Sequence, residues 1–338
     1  IIFPSQYVAK FSTETLKRTY ANSIHAIDKI TGKELWSIEP PENGSDLSLV
    51  GGALAKKSES VAAYYSYGSK GADKGWLLVS PESEIDFKWQ EIYKFQDGST
   101  PFFLGGFVLN LGETLLVGFS EATKLDPERL SHDAFDNLHF CDYEVDANLI
   151  WLDSVTFSEV NRVRLSNFIA ASAIKKDDGK TVLVGSDGLL CSDSSNPRNL
   201  TVFELDGIKA TQRFVDNLNH TSFGNEVVQL PTGHLLLVGS AMRYFGSESF
   251  GEAESANSDS AETYTSRRNA EDGLLILLDS DYREIGRVWS EIGVDLFFKT
   301  AHITKGRILV GGKAGNKAFL GELKIDDSIL KTNARTTH

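Results

Sequence analysis

The amino-acid sequence predicts an all-β protein built from a repeated unit, and two observations support this. Five short apolar runs each open at a glycine and close on a small residue, and four of them share the core Leu-Val-Gly. The remaining apolar runs are also short, rich in β-branched and aromatic residues, and separated by turn residues, as strands are. The five repeated runs are Gly75–Ser80, Gly112–Ser120, Gly179–Ser186, Gly233–Ser240 and Gly306–Gly312.

The repeat has the length of a propeller blade. Predicted third strands begin near residues 23, 76, 149, 200, 274 and 318, which gives spacings of 53, 73, 51, 74 and 44 residues. The shortest spacing matches a four-stranded blade of about 40–50 residues, and the longer ones match the same blade with insertions. We therefore predict a single β-propeller domain over residues 1–338, with about six four-stranded blades, or seven if one is disguised or missing.

Blade five shows how the strands follow from the sequence. Asn225–Leu230 turns through Pro231-Thr-Gly into His234–Ser240, and Gly273–Leu278 turns at Asp279 into Glu284–Trp289. Short apolar runs bounded by such residues are typical of strands. The other predicted strands are Tyr7–Phe11, Ser23–Ile27 and Glu34–Ile38 in blade one; Leu47–Ala55, Val61–Tyr67, Trp76–Val79 and Phe87–Phe95 in blade two; Phe102–Leu109, Thr114–Gly118, Leu149–Leu152 and Val160–Leu165 in blade three; Phe168–Ile174, Thr181–Gly185, Leu200–Leu205 and Ala210–Val215 in blade four; and Phe297–Ile303, Arg307–Gly311, Ala318–Ile325 and Ser328–Lys331 in blade six.

Blade one is incomplete in this interpretation, because it lacks a first strand. Propellers often close by pairing the two chain ends within one blade, which removes exposed sheet edges. The polar tail Lys331–His338 is the segment that would supply the missing strand.

The predicted insertions fall at one place in the repeat, between the second and third strands. The long ones are Glu121–Asn148, Asp187–Asn199 and Ala241–Asp272. In an up-and-down blade these connections all emerge on one face, and decoration of one face is typical of a binding surface. The alternative is that insertions are tolerated wherever loops are solvated.

The sequence favours a non-enzymatic binding or structural module that recognises a protein or glycan partner through this face. Tyr143, Phe245 and Phe250 are the predicted contact residues, because aromatic side chains anchor interfaces. Two alternatives stay open. One is a propeller hydrolase or lyase with its site at the central channel, although no nucleophile or phosphate-loop motif is present. The other is a subunit that self-assembles into a filament or array.

One segment carries a family resemblance. Ser23–Trp36 resembles the repeat of quinoprotein-like (PQQ-type) propellers, with matches at Ala26, Asp28, Thr31, Gly32 and Trp36. The resemblance implies a propeller fold in which the Trp packs between blades. The dehydrogenases of that family carry adjacent cysteines beside the quinone, and this chain has no Cys-Cys, so no quinone cofactor and no catalytic residue is carried over. The non-enzymatic members, such as outer-membrane assembly scaffolds and adhesion modules, are the relevant comparison.

The two cysteines, Cys141 and Cys191, lie in predicted insertions of neighbouring blades. A disulfide between them would join two long loops and indicate an oxidising compartment. Two free thiols are the alternative. With a disulfide, the protein would be extracytoplasmic: periplasmic, secreted or at the cell surface. The absence of an initiating Met at Ile1 fits a processed or trimmed chain.

Two sets of aspartates in the sequence predict different roles, calcium binding for one and turn hydrogen bonds for the other. In the acidic insertion of blade three, Asp126, Asp133, Asp136 and Asp142 are candidate Ca²⁺ ligands, and a solvated acidic loop is the alternative interpretation. Aspartates also recur where third strands end, as at Asp28, Asp153, Asp206, Asp279 and Asp326. There we expect turn hydrogen bonds rather than a metal.

The net charge of the chain limits the classes of partner that we expect. Lysine and arginine total 34 and aspartate and glutamate 47, so the net charge is −13. Nucleic acids and anionic membrane surfaces require clustered basic residues, so neither is expected as a partner. No apolar stretch reaches the roughly 18 residues that span a bilayer, so no transmembrane segment is predicted.

Overall fold

The computed structural model describes residues 2–12, 17–27, 31, 33–38, 47–53, 61–66, 74–79, 88–94, 99–124, 143–187, 198–217, 221–242, 271–290, 296–315 and 317–325. In these ranges the regular structure is strand throughout, from β1 to β22. The strands fall into two compact units, with β1–β11 in the N-terminal unit and β12–β22 in the C-terminal unit.

The N-terminal unit contains three antiparallel sheets. The first has three strands in the order β1-β2-β3, and the other two have four strands each, in the orders β4-β5-β6-β7 and β8-β9-β10-β11. The strands are β1 Ile2–Ser12, β2 Lys17–Ile27, β3 Glu34–Ile38, β4 Leu47–Ala53, β5 Val61–Ser66, β6 Lys74–Val79, β7 Lys88–Lys94, β8 Ser99–Asn110, β9 Thr114–Lys124, β10 Tyr143–Asp153 and β11 Glu159–Leu165.

The C-terminal unit continues the pattern. Its first sheet is β12-β13-β14-β15, its second runs β16-β17-β18-β19, and a single parallel bridge from Asp272 to Leu296 joins the second to β20-β21-β22. The strands are β12 Phe168–Lys175, β13 Thr181–Asp187, β14 Leu200–Asp206, β15 Lys209–Val215, β16 Thr221–Gln229, β17 Leu235–Met242, β18 Glu271–Leu278, β19 Glu284–Trp289, β20 Leu296–Thr304, β21 Arg307–Ala314 and β22 Lys317–Leu323.

These sheets are the up-and-down blades of a β-propeller, and the predicted fold class is confirmed. Apart from the single bridge between β18 and β20, each group of antiparallel strands coincides with one predicted blade. Blades one to six are β1–β3, β4–β7, β8–β11, β12–β15, β16–β19 and β20–β22. The number of blades in the whole chain stays a prediction. Ser328–Lys331 and the tail to His338 lie outside the part of the chain that the structure describes.

The Leu-Val-Gly motif of blades four and five has a structural cause at a bulge in the first strand. In blade four, Ala170 pairs with Gly185 and Ser172 with Val184, so Ala171 is an extra residue in β12. The bulge brings a carbonyl oxygen so close that a Cβ on Gly185 would lie 1.8 Å from the oxygen of Ile169. Only glycine fits such a backbone approach.

The same arrangement recurs in the next two blades. A Cβ on Gly239 would lie 2.2 Å from the Phe223 oxygen, and one on Gly312 would lie 1.8 Å from the Phe297 oxygen. The bulged residues there are Asn225 and Lys299, each skipped in the pairing register. The motif glycines Gly185 and Gly239 are therefore required by blade geometry, and in blade six the same place is taken by Gly312, which follows the motif glycine Gly311.

The apolar core lies between neighbouring sheets. One cluster in the C-terminal unit joins blades four and five, with Val184 and Val202 packed beside Leu237 and Ile276. Trp289, in the fourth strand of blade five, packs against this cluster. A second cluster joins blades five and six, and a third, in the N-terminal unit, joins Tyr93 of blade two to blade three.

In the C-terminal unit the long connections leave from one side. The start of β18 bridges to the start of β20, and the Ser222 amide at the start of β16 donates to the oxygen of Arg198, just before β14. The ends that flank residues 188–197 and 243–270 therefore lie together, and we call them the insertion end. The turns between first and second and between third and fourth strands lie at the other side, the tight-turn end.

Candidate functional site

The base of the blade-four insertion is held by Asp187, the last residue of β13. Its Oδ2 accepts hydrogen bonds from the backbone N–H and the side-chain Nδ2 of Asn199, both at 3.0 Å. Burial raises the pKa of the Asp187 carboxyl, although the Asn199 hydrogen bonds oppose this. The carboxylate fixes both flanks of the insertion to each other.

Arg198 ties the same base to blade five. Its side chain is 4% exposed, and its guanidinium carbon lies 4.9 Å from the centre of the Phe223 ring. The Leu200 amide donates to the Ser222 hydroxyl at 2.9 Å. Both flanks of this insertion are held by neighbouring strands, so the insertion is attached to a rigid scaffold.

The blade-five insertion has an equally firm base. Met242 and Glu271, which flank it, are paired across β17 and β18, as are Ala241 and Asp272. The Gly273 amide donates to the Ser290 hydroxyl at 2.8 Å, and the Ser290 amide donates back to the Gly273 oxygen at 2.9 Å. Loops positioned by a rigid scaffold are where binding residues concentrate.

Most of the predicted site residues fall in segments whose structure is not described. These are the calcium candidates Asp126, Asp133, Asp136 and Asp142, the cysteines Cys141 and Cys191, and the contact residues Phe245 and Phe250. Tyr143, also a predicted contact residue, is the first residue of β10 rather than a loop residue. The calcium site, the disulfide and the partner contacts stay predictions.

The predicted bounds of two insertions were too wide. Strand β9 extends to Lys124, and β10 begins at Tyr143. Likewise, β17 extends to Met242, and β18 begins at Glu271. The polar residues Glu121, Asp146 and Asn148 suggested a loop, yet all three are buried strand residues. Their polar groups are paired: Asn148 donates to Glu121 at 3.0 Å, and Arg164 to Asp146 at 2.7 Å.

The expected turn role of aspartate is confirmed at two third-strand ends. Oδ1 of Asp153 accepts from the amides of Val155 and Thr156 at 3.0 and 2.7 Å. Oδ1 of Asp279 accepts from the amides of Asp281 and Arg283 at 2.9 and 2.8 Å. These carboxylates stabilise turns.

Sequence reasoning missed a buried charged cluster at the tight-turn end of blade four. Glu204 accepts from the Tyr282 hydroxyl at 2.7 Å and from Arg213 Nη2 at 2.6 Å, and Lys180 and Lys176 lie 3.3 and 3.4 Å from it. Burial alone would raise the pKa of the Glu204 carboxyl, but these hydrogen bonds outweigh it and lower the pKa to about 2. Tyr282 belongs to blade five, so the cluster fastens one sheet to the next.

The backbone of Tyr282 shows how that contact is made. The residue has φ of +65°, in the left-handed region that side chains with a Cβ seldom adopt, and its ring lies under the ammonium of Lys176 at 5.4 Å. Burial and the Glu204 hydrogen bond both raise the pKa of the hydroxyl, which stays protonated as a donor. No single residue type or spacing signals this arrangement, because it depends on two blades meeting.

The N-terminal unit contains a related cluster. The Tyr93 hydroxyl, from blade two, donates to Oε2 of the fully buried Glu121 in blade three at 2.8 Å. Burial and this hydrogen bond raise the pKa of Tyr93. Phe157, with φ of +56°, packs in the same core, and its oxygen accepts from Gln90 of blade two at 3.2 Å.

A third set of polar contacts joins blades five and six at the bulges of their first strands. Glu226 Oε2 accepts from the Ala301 amide at 2.8 Å, and Asn225 Nδ2 donates to the Phe298 oxygen at 2.7 Å. Burial raises the pKa of the Glu226 carboxyl, opposed by hydrogen bonds from Thr300 and Ala301 and by the charge of His302. The side chains of blade five thus satisfy backbone groups that the bulge in β20 leaves free.

Metal ligands and membrane spans are both absent from the ranges the structure covers. No group of three or more His, Cys, Asp or Glu side chains is placed to hold a metal ion in the described ranges. None of the described segments forms a helix long and apolar enough to cross a membrane.

Comparison with known proteins gives distant similarities of structure. No protein-family model and no curated protein matches the chain. Similar solved structures include the Dos1 propeller, at 11% identity over 93% of this chain and 66% of that one, with a TM-score of 0.45. An acylaminoacyl peptidase from Pyrococcus horikoshii matches at 12% identity over 95% and 43%, with a TM-score of 0.48. An ulvan lyase of a polysaccharide lyase family matches at 8% identity over 95% and 80%, with a TM-score of 0.49. This chain spans less than half of the peptidase, and the fold class rests on the sheet topology above.

Proposed function

We propose that the protein is a non-enzymatic binding module that recognises a protein or glycan partner through its insertion end. The observation that carries the proposal is the distribution of connections in the described sheets. The long ones, 125–142, 188–197 and 243–270, all join second strands to third strands, whereas the other connections within blades three to five are tight turns. The strand ends that bear the long connections in the C-terminal unit are held rigidly by Asp187, Arg198 and Ser290.

The structural roles of three buried carboxylates are a second observation that supports a binding role. Glu121, Glu204 and Glu226 each bond to a residue of a neighbouring blade. A carboxylate that holds two sheets together is engaged structurally and is poorly placed to exchange protons with a substrate. The rest of the proposal rests on sequence alone: a PQQ-type repeat, an extracytoplasmic location, a Cys141–Cys191 disulfide and a Ca²⁺ ion in the acidic insertion.

Site-specific photo-crosslinking tests the proposal. A benzophenone amino acid is placed at Asn217, an exposed residue at the insertion end, and at Phe250 in the longest insertion. The matched control is Ile208, 53% exposed in the turn between β14 and β15 at the tight-turn end. Irradiation in the native source should give one recurrent adduct from positions 217 and 250 and none from 208. Adducts from 208 alone, or equally from both ends, would refute it; an adduct with a second copy of this chain would support the self-assembly alternative instead.

The alternative, a propeller enzyme, is tested at Glu226, because burial raises the pKa of this carboxyl. Perturbed pKa values occur at catalytic sites and at structural contacts alike, and the hydrogen bond from the Ala301 amide at 2.8 Å gives Glu226 a structural contact. The effect of a substitution on the stability of the fold distinguishes a catalytic role of Glu226 from a structural one. Catalytic residues are often dispensable for folding, whereas removal of a structural contact destabilises. We expect Glu226→Ala to lower the unfolding midpoint in urea while Lys299→Ala, an exposed change in the adjacent bulge, does not; an unchanged midpoint for Glu226→Ala would contradict its structural role.

A further inference from the structure

A groove of about 430 Å³ lies at the tight-turn end, between blades five and six. The turn between β16 and β17 contributes Pro231 and Thr232 to its lining, and the turn between β20 and β21 contributes Gly306 and Arg307. The chain from the end of β22 to Ile325 completes the lining. Every residue that lines the groove lies within the described ranges and belongs to the C-terminal unit, so the groove is a feature of one compact unit.

The groove has an apolar floor and a polar rim. Leu230 belongs to the core between blades five and six, and Ile303 and Ile308, which pack against that core, stay partly exposed in the groove. Thr232 and Lys324, which also line it, are exposed. An apolar centre within a polar rim is the anatomy of a protein interface, and an apolar side chain that fills such a centre carries much of the binding energy.

The rim is positively charged, although the chain as a whole is negative. Arg307 pairs with the carboxylate of Glu322, and Lys324 and the exposed Lys305 add two further positive charges. Blade six, over residues 296–325, contains six lysine and arginine residues and one acidic residue, whereas the described strands and turns of blade five contain two arginines and six acidic residues. The sign of the charge at the groove therefore favours an acidic partner.

The two turns that border the groove have defined conformations. The Thr232 hydroxyl is hydrogen-bonded to Nδ1 of His234 at 2.8 Å. In the other turn Lys305 and Gly306 have φ of +49° and +75°, as in a two-residue hairpin turn, for which Asn-Gly is a common sequence. A lysine is unusual in this left-handed position, and here it fixes a cation beside the groove. A groove that is formed before binding saves the cost of ordering its walls.

We propose that this groove docks an acidic peptide segment of a protein partner. One apolar side chain of the segment lies on the floor, and its carboxylates face Lys305, Arg307 and Lys324. A glycan fits less well, because no aromatic side chain on which a sugar ring could stack is among the residues that line the groove. The site lies at the tight-turn end, so it does not rest on recognition through the insertion end and can be occupied together with it.

Affinity selection with three peptide pools tests this. The acidic pool consists of nonapeptides with Leu, Ile or Phe at the centre and Asp, Glu, Ser or Gly elsewhere. The neutral pool has Asn and Gln in place of Asp and Glu, and the third pool is acidic with Ser at the centre. The immobilised full-length protein should retain peptides of the acidic pool only, as mass spectrometry of the eluate would show. The affinity of the retained peptides should fall as salt screens the charges.

Two double variants locate the binding on the protein. Lys305→Asn with Lys324→Glu alters the rim, and titration with the retained peptides should show at least tenfold weaker binding. Lys313→Asn with Lys317→Glu is the matched control, made at exposed lysines at the insertion end of blade six, and should bind like the natural chain. Equal retention of the acidic and neutral pools, equal weakening by both variants, or no retained peptide would overturn the proposal. Retention of a sulfated heparin tetrasaccharide in place of the peptides would also overturn it and assign the groove to a glycan.

Discussion

At the scale of single residues, the recurring glycine is the clearest link between sequence and structure. Gly185, Gly239 and Gly312 stand where a bulge presses a carbonyl oxygen against the second strand. Gly185 and Gly239 belong to the Leu-Val-Gly core from which the sequence predicted a repeat, and Gly312 follows that core. The sequence did not predict why glycine is needed, because a bulge is visible only once two strands are in register.

The first prediction concerns this contact. Gly239→Ala would place a Cβ 2.2 Å from the Phe223 oxygen, so the backbone must shift, at a cost of about 1–3 kcal/mol or more in the free energy of unfolding. Gly286→Ala is the control, because its nearest neighbour would be 3.9 Å away. Urea unfolding of both variants checks it; equal midpoints would show that the close approach costs nothing.

The second prediction concerns the Tyr282–Glu204 bond. Tyr282→Phe removes a hydroxyl that donates to a buried carboxylate at 2.7 Å, and a hydrogen bond to a charged group is worth about 1.5–3 kcal/mol. Arg283→Ala, 77% exposed in the same turn, is the control and should change little. A double-mutant cycle with Glu204→Gln should show coupling; additive effects would mean that the hydroxyl and the carboxylate do not interact.

The third prediction is the pH dependence of the same carboxylate. The folded pKa of Glu204, about 2, lies below its ordinary value of 4.5, so the ionised form stabilises the fold. That contribution is present above pH 4.5 and is lost as the pH falls from 4.5 towards 2. Urea midpoints over this window should fall more steeply for the natural chain than for Glu204→Gln. Parallel curves would place the stabilising charge elsewhere.

At the scale of elements, the strand positions were predictable and the cross-blade contacts were not. Each described strand overlaps a predicted one because apolar runs between turn residues encode strands locally. The predicted ends were short where buried polar residues continue the strand, as at Glu121 and Asn148, since burial is not visible in the sequence. The roles of Tyr93, Tyr282 and Glu226 depend on which blade faces which, and composition carries no signal of that.

The fourth prediction belongs to the longest insertion. Residues 243–270 leave and re-enter the sheet at Met242 and Glu271, which are paired across two strands. Replacing the insertion by Asn-Gly, a two-residue hairpin turn, should therefore keep cooperative unfolding, with a midpoint within a few degrees of the natural chain. Thermal unfolding followed by circular dichroism measures this; loss of the cooperative transition would show that the insertion is part of the core.

At the scale of the whole molecule, the structural polar residues fall into two groups. One group, at the tight-turn end and between sheets, joins neighbouring blades. The other stands at the insertion end of the C-terminal unit, where Asp187, Arg198 and Ser290 hold the bases of long connections. The sequence located these connections from blade spacing alone, and their rigid bases appear only in the structure.

The measurement that tests the central claim most directly is the affinity of the crosslinked partner for the chain with residues 243–270 replaced by Asn-Gly. Calorimetry would compare this variant with the natural chain and with a variant altered at Ile208, at the tight-turn end. We expect the loop replacement to weaken binding at least tenfold while the Ile208 variant binds like the natural chain. Undiminished binding by a folded loop-replaced protein would contradict recognition through the long connection of blade five.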